Sequence, residues 1–183
     1  LGSSWIIIEV LTDPKKRNHP YHRLLFAMSV YDILESIWNF CSSWPIPKGT
    51  EGVAWASGTT ASCSAQGFFL TLGVAIPIYN AMLSLYYVLV INFKYTDAAL
   101  RQWVEPTMHS FAFLWAFGTA IYSASTALIN NANIWCWIAP LPADSLDSWR
   151  YGDDGNCVLC AHARSHRLAF YFAPFCFSIL AVS

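Results

Sequence analysis

The sequence predicts an all-α fold, a polytopic bundle of membrane-crossing helices, and three observations carry that expectation. Of 183 residues, 56% are hydrophobic and only 11% charged. Soluble domains hold about a quarter charged residues, so this surface does not suit water on all sides. The mean hydropathy is +0.40, and the apolar residues gather into long runs separated by short polar ones. Nine Trp and nine Tyr complete the pattern, because amphipathic rings suit the two headgroup interfaces of a bilayer.

Taken in order, the first apolar run, 3–11, is shorter than the roughly 20 residues needed to span hydrocarbon. The chain begins at Leu1 without Met and stops at Ser183 within an apolar run, and both ends are read as cuts through helices. No charged region followed by an apolar stretch and a small-residue cleavage site marks a signal peptide. A basic turn, 12–22, leads into a second helix at 23–41. A Trp/Pro/Gly-rich loop, 42–62, precedes a third helix at 64–93. A polar loop, 94–107, precedes a fourth helix at 108–129. A long irregular segment, 130–166, ends at the start of a fifth helix, 167–183. Short and long loops alternate, as they do on opposite faces of a membrane.

Charge orients this threading. Lys15, Lys16, Arg17 and Arg23 flank the first turn and Lys94 and Arg101 lie in the third loop, against Lys48 alone in the second. The positive-inside rule therefore assigns the first and third loops to the cytosol. Cysteine placement agrees: Cys63, Cys136, Cys157 and Cys160 all fall on the side charge makes external, where disulfides persist. Cys41 and Cys176 fall in or near helices and are read as small packing residues. The net charge of −1 offers no basic stripe for a phosphate backbone, so nucleic acid is not an expected partner. Lipid and membrane proteins are.

Polar residues inside the spans mark the candidate site. Ser29, Asp32, Glu35, Ser36 and Asn39 recur at spacings of three and four, which puts them on one helix face. A carboxylate at mid-bilayer costs at least ~2.5 kcal/mol, so Asp32 is expected to face the bundle, either as a cation or proton site or as polar glue between helices. Glu35 is assigned to a water-filled vestibule. The third helix has its own line, Gln66, Gly73, Asn80, Ser84 and Tyr87, and Pro77 is expected to bend it, removing a donor and clashing with the Gly73 carbonyl. In the fourth helix Ala112, Ala116, Ala120 and Ala124 form a smooth packing strip. Trp115, Gly118, Tyr122 and Ser125 mark an adjacent face, open to either a ligand cavity or lipid.

Cys63 opens the third helix and Cys136 follows the fourth, so both belong at one external surface. A bridge between them would fold the long loop over the bundle, with Cys157 the competing partner. Cys157, Cys160, His162 and His166 are all zinc-ligand types, but their crowding lacks the dozen or so residues that usually separate two ligand pairs. No metal or cofactor is expected, and His162 and His166 are read as solvated. Nucleophile, phosphate-cradle and HExxH signatures are missing, and the chain is read as a non-enzyme.

A Cys opening the third helix, a second Cys in the string Asn133-Ile134-Trp135-Cys136-Trp137-Ile138 and an Asp centred in the second helix together resemble seven-helix G-protein-coupled receptors. The Trp-Cys-Trp string is most similar to the secretin-like and cyclic-AMP-receptor-like branches. The resemblance implies a partial seven-helix receptor fold, from the end of helix one into helix five, at the plasma membrane. It also implies a Cys63–Cys136 bridge, an external ligand, and a cytosolic surface of Lys15, Lys16, Arg17, Lys94 and Arg101 for a heterotrimeric G protein. Helix three ends Leu89-Val90-Ile91-Asn92-Phe93-Lys94, without the Asp/Glu-Arg-Tyr motif of the rhodopsin-like branch. An ion or proton-coupled transporter or channel using Asp32 and Glu35 is the competing expectation.

Overall fold

The computed structural model describes residues 1–50, 52–139, 158–174 and 176, and among them helix dominates. The helices are α1 (Gly2–Thr12), α2 (Pro14–Arg17), α3 (Pro20–Phe40), α4 (Thr60–Leu72), α5 (Ala75–Ile91), α6 (Asp97–Ala99), α7 (Glu105–Ser125) and α8 (Val158–His166). Wider π-type helical turns at Leu100–Val104 and Arg167–Phe172 precede α7 and follow α8. Two short strands, β1 (Ile129–Asn131) and β2 (Cys136–Ile138), pair antiparallel with Asn131 opposite Cys136.

Local chemistry explains the breaks. Asp13 ends α1 and caps α2, accepting the Lys15 backbone N–H at 2.9 Å, and Pro14 takes the first helical position where no donor is needed. Thr96 caps α6 in the same way. The α7 helix closes in a left-handed turn at Ala127, with the Leu128 N–H donating to the Ser123 carbonyl. The hairpin loop turns at Asn133, whose N–H donates to the Asn131 Oδ1 at 2.9 Å.

The chain divides into two compact units. The first draws on Leu1–Glu35 and Gly73–Phe117. Its buried residues include Val10, Leu24, Ile78, Met82, Leu100 and Met108, with Ala112 and Ala116 of the alanine strip fully buried. The second draws on Ser36–Leu72 and the described part of 118–173. There Ile46, Cys63, Ile129 and Cys136 form one apolar cluster, and Leu128, Ile138 and Ala163 another.

Several expectations change. The third helix, expected as one span over 64–93, is two helices with Gly73 and Val74 between them, so the interruption comes at the glycine ahead of Pro77. The loop expected over 94–107 is largely helical, because Thr96 caps a new helix that runs on through the π turn into α7. The segment 130–166 contains most of a hairpin and all of α8. Ala124, last of the strip, is exposed.

Among the described residues, one helical run is long and apolar enough to cross a membrane: Thr60–Ile91, 32 residues with a mean hydropathy of 1.8. Helices α3 and α7 have 21 residues each, enough for the roughly 20 that a crossing needs. Their length suffices but their hydropathy does not, because Arg23, Asp32 and Glu35 dilute α3, and Glu105, His109 and several hydroxyl residues dilute α7.

Candidate functional site

The second unit is organised around Gln66, on the second turn of α4. Its side chain is fully buried, and a buried amide demands partners for all its polar atoms. Nε2 donates to the Trp38 carbonyl at 3.0 Å and to the Ser42 carbonyl at 2.8 Å. Oε1 accepts the backbone N–H of Cys136 at 2.8 Å. Cys63, one turn earlier, is disulfide-bonded to the same Cys136. Hairpin and helix are thus joined by a covalent bond and a hydrogen bond within one turn. A Cβ at Gly67 would stand 2.2 Å from Cγ2 of Ile129, so the close approach of β1 to α4 requires glycine there.

The same unit holds an open pocket of about 460 Å3. Gly118, Thr119 and Tyr122 of α7 line one part of it, His162, Ser165 and His166 of α8 another, and Ala169 and Phe170 of the following turn the rest. The Tyr122 hydroxyl and His162 Nε2 are 2.8 Å apart. The His166 ring lies parallel to that of Tyr122, at 5.1 Å and 3°, and 4.6 Å from that of Phe170. His166 is only 3% exposed, and neither ring nitrogen has a hydrogen-bond partner among the described residues. Burial first, then the neighbouring His162, lowers its pKa below the usual imidazole range. His166 is therefore neutral at pH 7, offering one N–H and one lone pair.

This corrects the expectation that His166 is solvated: the i, i+4 spacing sets His162 and His166 on one face of α8, and that face packs on Tyr122. Of the face left open between cavity and lipid, Gly118 and Tyr122 line the cavity, while Ser125 donates to the Tyr122 carbonyl at 3.0 Å. Cys157 and the side chain of Cys160 lie outside the described residues. Among the described residues no group of three or more metal-ligand side chains gathers.

The expected intramembrane polar residues are divided between the two units. In the first unit Ser29 is buried, Asp32 and Glu35 are half-buried, and Ser3 Oγ donates to the Asp32 carboxylate. Ser84 donates to the Asn80 carbonyl at 3.2 Å, and the Asn80 side chain is exposed. Asn39, in the second unit, is exposed as well. The line from Gln66 to Tyr87 does not keep to one environment, since Gln66 and Gly73 are buried whereas Asn80 and Tyr87 are exposed. The break at Gly73–Val74 interrupts the regular rotation on which that periodicity relied.

The basic residues expected on the cytosolic side all lie in the first unit. Lys15, Arg17, Lys94 and Arg101 are exposed, and Lys16 pairs with Glu9. His19 Nδ1 stands 3.0 Å from Asp97 Oδ2, which holds the turn before α3 against α6. A cluster not anticipated from sequence lies nearby. Glu105 is 2% exposed, with Arg23 Nε 2.5 Å and His109 Nε2 3.7 Å from its Oε1. The Tyr79 hydroxyl reaches His109 Nδ1 at 2.9 Å. Its one sequence signal was an Arg at the start of the second apolar segment, 23–41, and a Glu in the polar loop 94–107.

No family model matches the chain, and neither does any curated protein or solved structure.

Proposed function

We propose that the chain acts as a transmembrane signalling receptor of the G-protein-coupled type, its helices threading the plasma membrane as a polytopic bundle. An external ligand shifts the bundle between two arrangements, and the cytosolic surface of Lys15, Lys16, Arg17, Lys94 and Arg101 meets a heterotrimeric G protein. The observation that supports this reading best is what lies at the two ends of the run Thr60–Ile91. The Cys63–Cys136 bridge stands at one end, where an oxidising compartment favours it. Lys94 follows the other, with Arg101 a short distance on, as cytosolic residues do. At 32 residues the run has more than the roughly 20 that a crossing needs.

Two measurements test the proposal. A membrane-impermeant maleimide is expected to label Trp55→Cys on intact cells and Lys15→Cys only after permeabilisation; labelling of both on intact cells overturns the threading. In nanodiscs, the chain is expected to accelerate guanine-nucleotide exchange by at least one member of a panel of heterotrimeric G proteins. A flat response across the panel, with the labelling pattern intact, removes the coupling.

A second reading, an ion or proton-coupled transporter or channel using Asp32 and Glu35, is favoured by the half-buried position of both carboxyls in the first unit. It requires ion flux in reconstituted vesicles that Asp32→Asn abolishes.

A further inference from the structure

We infer that the contact of α8 with α7 is an acid-released latch: uptake of a proton by His166 from the external medium parts the two helices. The latch is a property of the second unit alone. That the proton thereby serves as the external signal rests on the receptor reading.

Three observations carry the inference. The imidazole is closed off: His166 is 3% exposed, with its ring parallel to that of Tyr122 at 5.1 Å and 4.6 Å from that of Phe170. Among the described residues neither nitrogen has a hydrogen-bond partner. A neutral ring fits such a place, whereas a cation there has neither water nor an acceptor and is strongly disfavoured.

Counter-charge is missing as well. The Tyr122 hydroxyl faces the ring from α7, the exposed His162 lies one turn earlier on α8, and Arg164 and Arg167 stand within two residues. Among its described residues the second unit has no carboxylate, and Asp144, Asp147, Asp153 and Asp154 lie outside them. A proton on His166 therefore adds positive charge to a positive neighbourhood.

Finally, α8 depends on this contact. At nine residues it is shorter than the roughly 12–15 that a helix needs to persist alone in water. Its packed face offers Ala163 to Leu128 and Ile138, a contact indifferent to pH, and His166 to Tyr122. His162 is exposed and takes up a proton without moving the helix.

The proton comes from bulk water and occupies the lone pair of the ring, and no covalent bond of the chain breaks. Burial and then His162 lower the affinity of the closed ring for it, whereas a released ring titrates near about 6.5. The released form thus binds the proton more tightly. Below about 6.5 each pH unit shifts the equilibrium toward release by up to about tenfold.

Amide hydrogen exchange of α8, read by mass spectrometry on the chain in nanodiscs and corrected for the pH dependence of the intrinsic rate, tests the latch. Between pH 7.5 and 5.5 the exchange of α8 is expected to rise several-fold, with about tenfold as the ceiling. His166→Phe is expected to match the parent at pH 7.5 and to lose the rise; His166→Leu serves the same purpose if the Phe variant does not fold. His162→Gln is expected to keep it. Unchanged exchange in the unsubstituted chain overturns the inference, as does a rise that survives the loss of His166 or one that His162→Gln removes. Acid release of α8 with no acid-dependent change in nucleotide exchange upholds the latch and counts against the receptor role.

Discussion

Cys136 is held to α4 twice: its sulfur is bonded to Cys63, and its backbone N–H donates to the Oε1 of Gln66, three residues further along the same helix. The side chain that receives this hydrogen bond also donates to two carbonyls of the segment following α3. Gln66 thus satisfies three backbone groups, of which the Cys136 N–H is buried, and the hairpin, the helix and the Trp38–Ser42 segment meet at one amide.

Replacing Gln66 by Leu keeps the volume and leaves those groups without partners. The expected loss is about 1–3 kcal/mol for each group that stays unsatisfied, read as a fall in the melting temperature of the detergent-solubilised protein. A variant as stable as the parent would show that Gln66 is not the junction.

Closing a loop of 73 residues, the disulfide is expected to contribute about 2–4 kcal/mol by restricting the unfolded chain. Cys63→Ser and Cys136→Ser should each lose that amount, and the double variant no more than either single one. Additive losses would mean that the two cysteines act separately.

Gly67→Ala forces its new methyl into Ile129. The expected destabilisation is about 1–3 kcal/mol from overpacking, and Ile129→Ala in the same chain should recover part of it. The test is a double-mutant cycle on thermal stability: a coupling energy of zero would separate the two residues.

Arg23→Met leaves the Glu105 carboxylate buried opposite an apolar side chain. Losing one partner of a buried pair costs about 3–5 kcal/mol, and the lower end is expected because the Arg23 side chain is 37% exposed. Neutralising the survivor with Glu105→Gln should restore most of the loss in urea or thermal unfolding. A double variant less stable than Arg23→Met would rule out the ion pair as the cause.

Acid should loosen the cavity wall through His166. Its pKa in the folded chain is lowered, by burial and then by His162, from an unfolded value of about 6.5. Between the lowered value and about 6.5 the unfolded chain binds the extra proton and the folded chain does not, so stability falls as pH drops through that window and is complete above it. His166→Phe should flatten this segment of the curve of melting temperature against pH without lowering stability at pH 7.5.

What was legible in the sequence was local. Runs of apolar residues, Asp13-Pro14 between α1 and α2, and the four-residue spacing of Ala112, Ala116 and Ala120 are readable because helix periodicity and capping depend on residues a few positions apart. The same local rules placed Gly118 and Tyr122 on one face but did not say what that face meets. They also overran the break at Gly73–Val74, since a run of apolar residues looks the same whether one helix or two carry it.

The sequence by itself determined that the chain is mainly helical, rich in long apolar runs, and supplied with cysteines at the positions where Cys63 and Cys136 are joined. Only the tertiary structure decided that Gln66 closes that junction, that Glu105 sits between Arg23 and His109, and that His166 is stripped of water against Tyr122. The physical reason is range. Periodicity and capping act over one or two helical turns, whereas a buried polar group takes its character from whichever distant segment reaches it, and that is known only once the chain has folded.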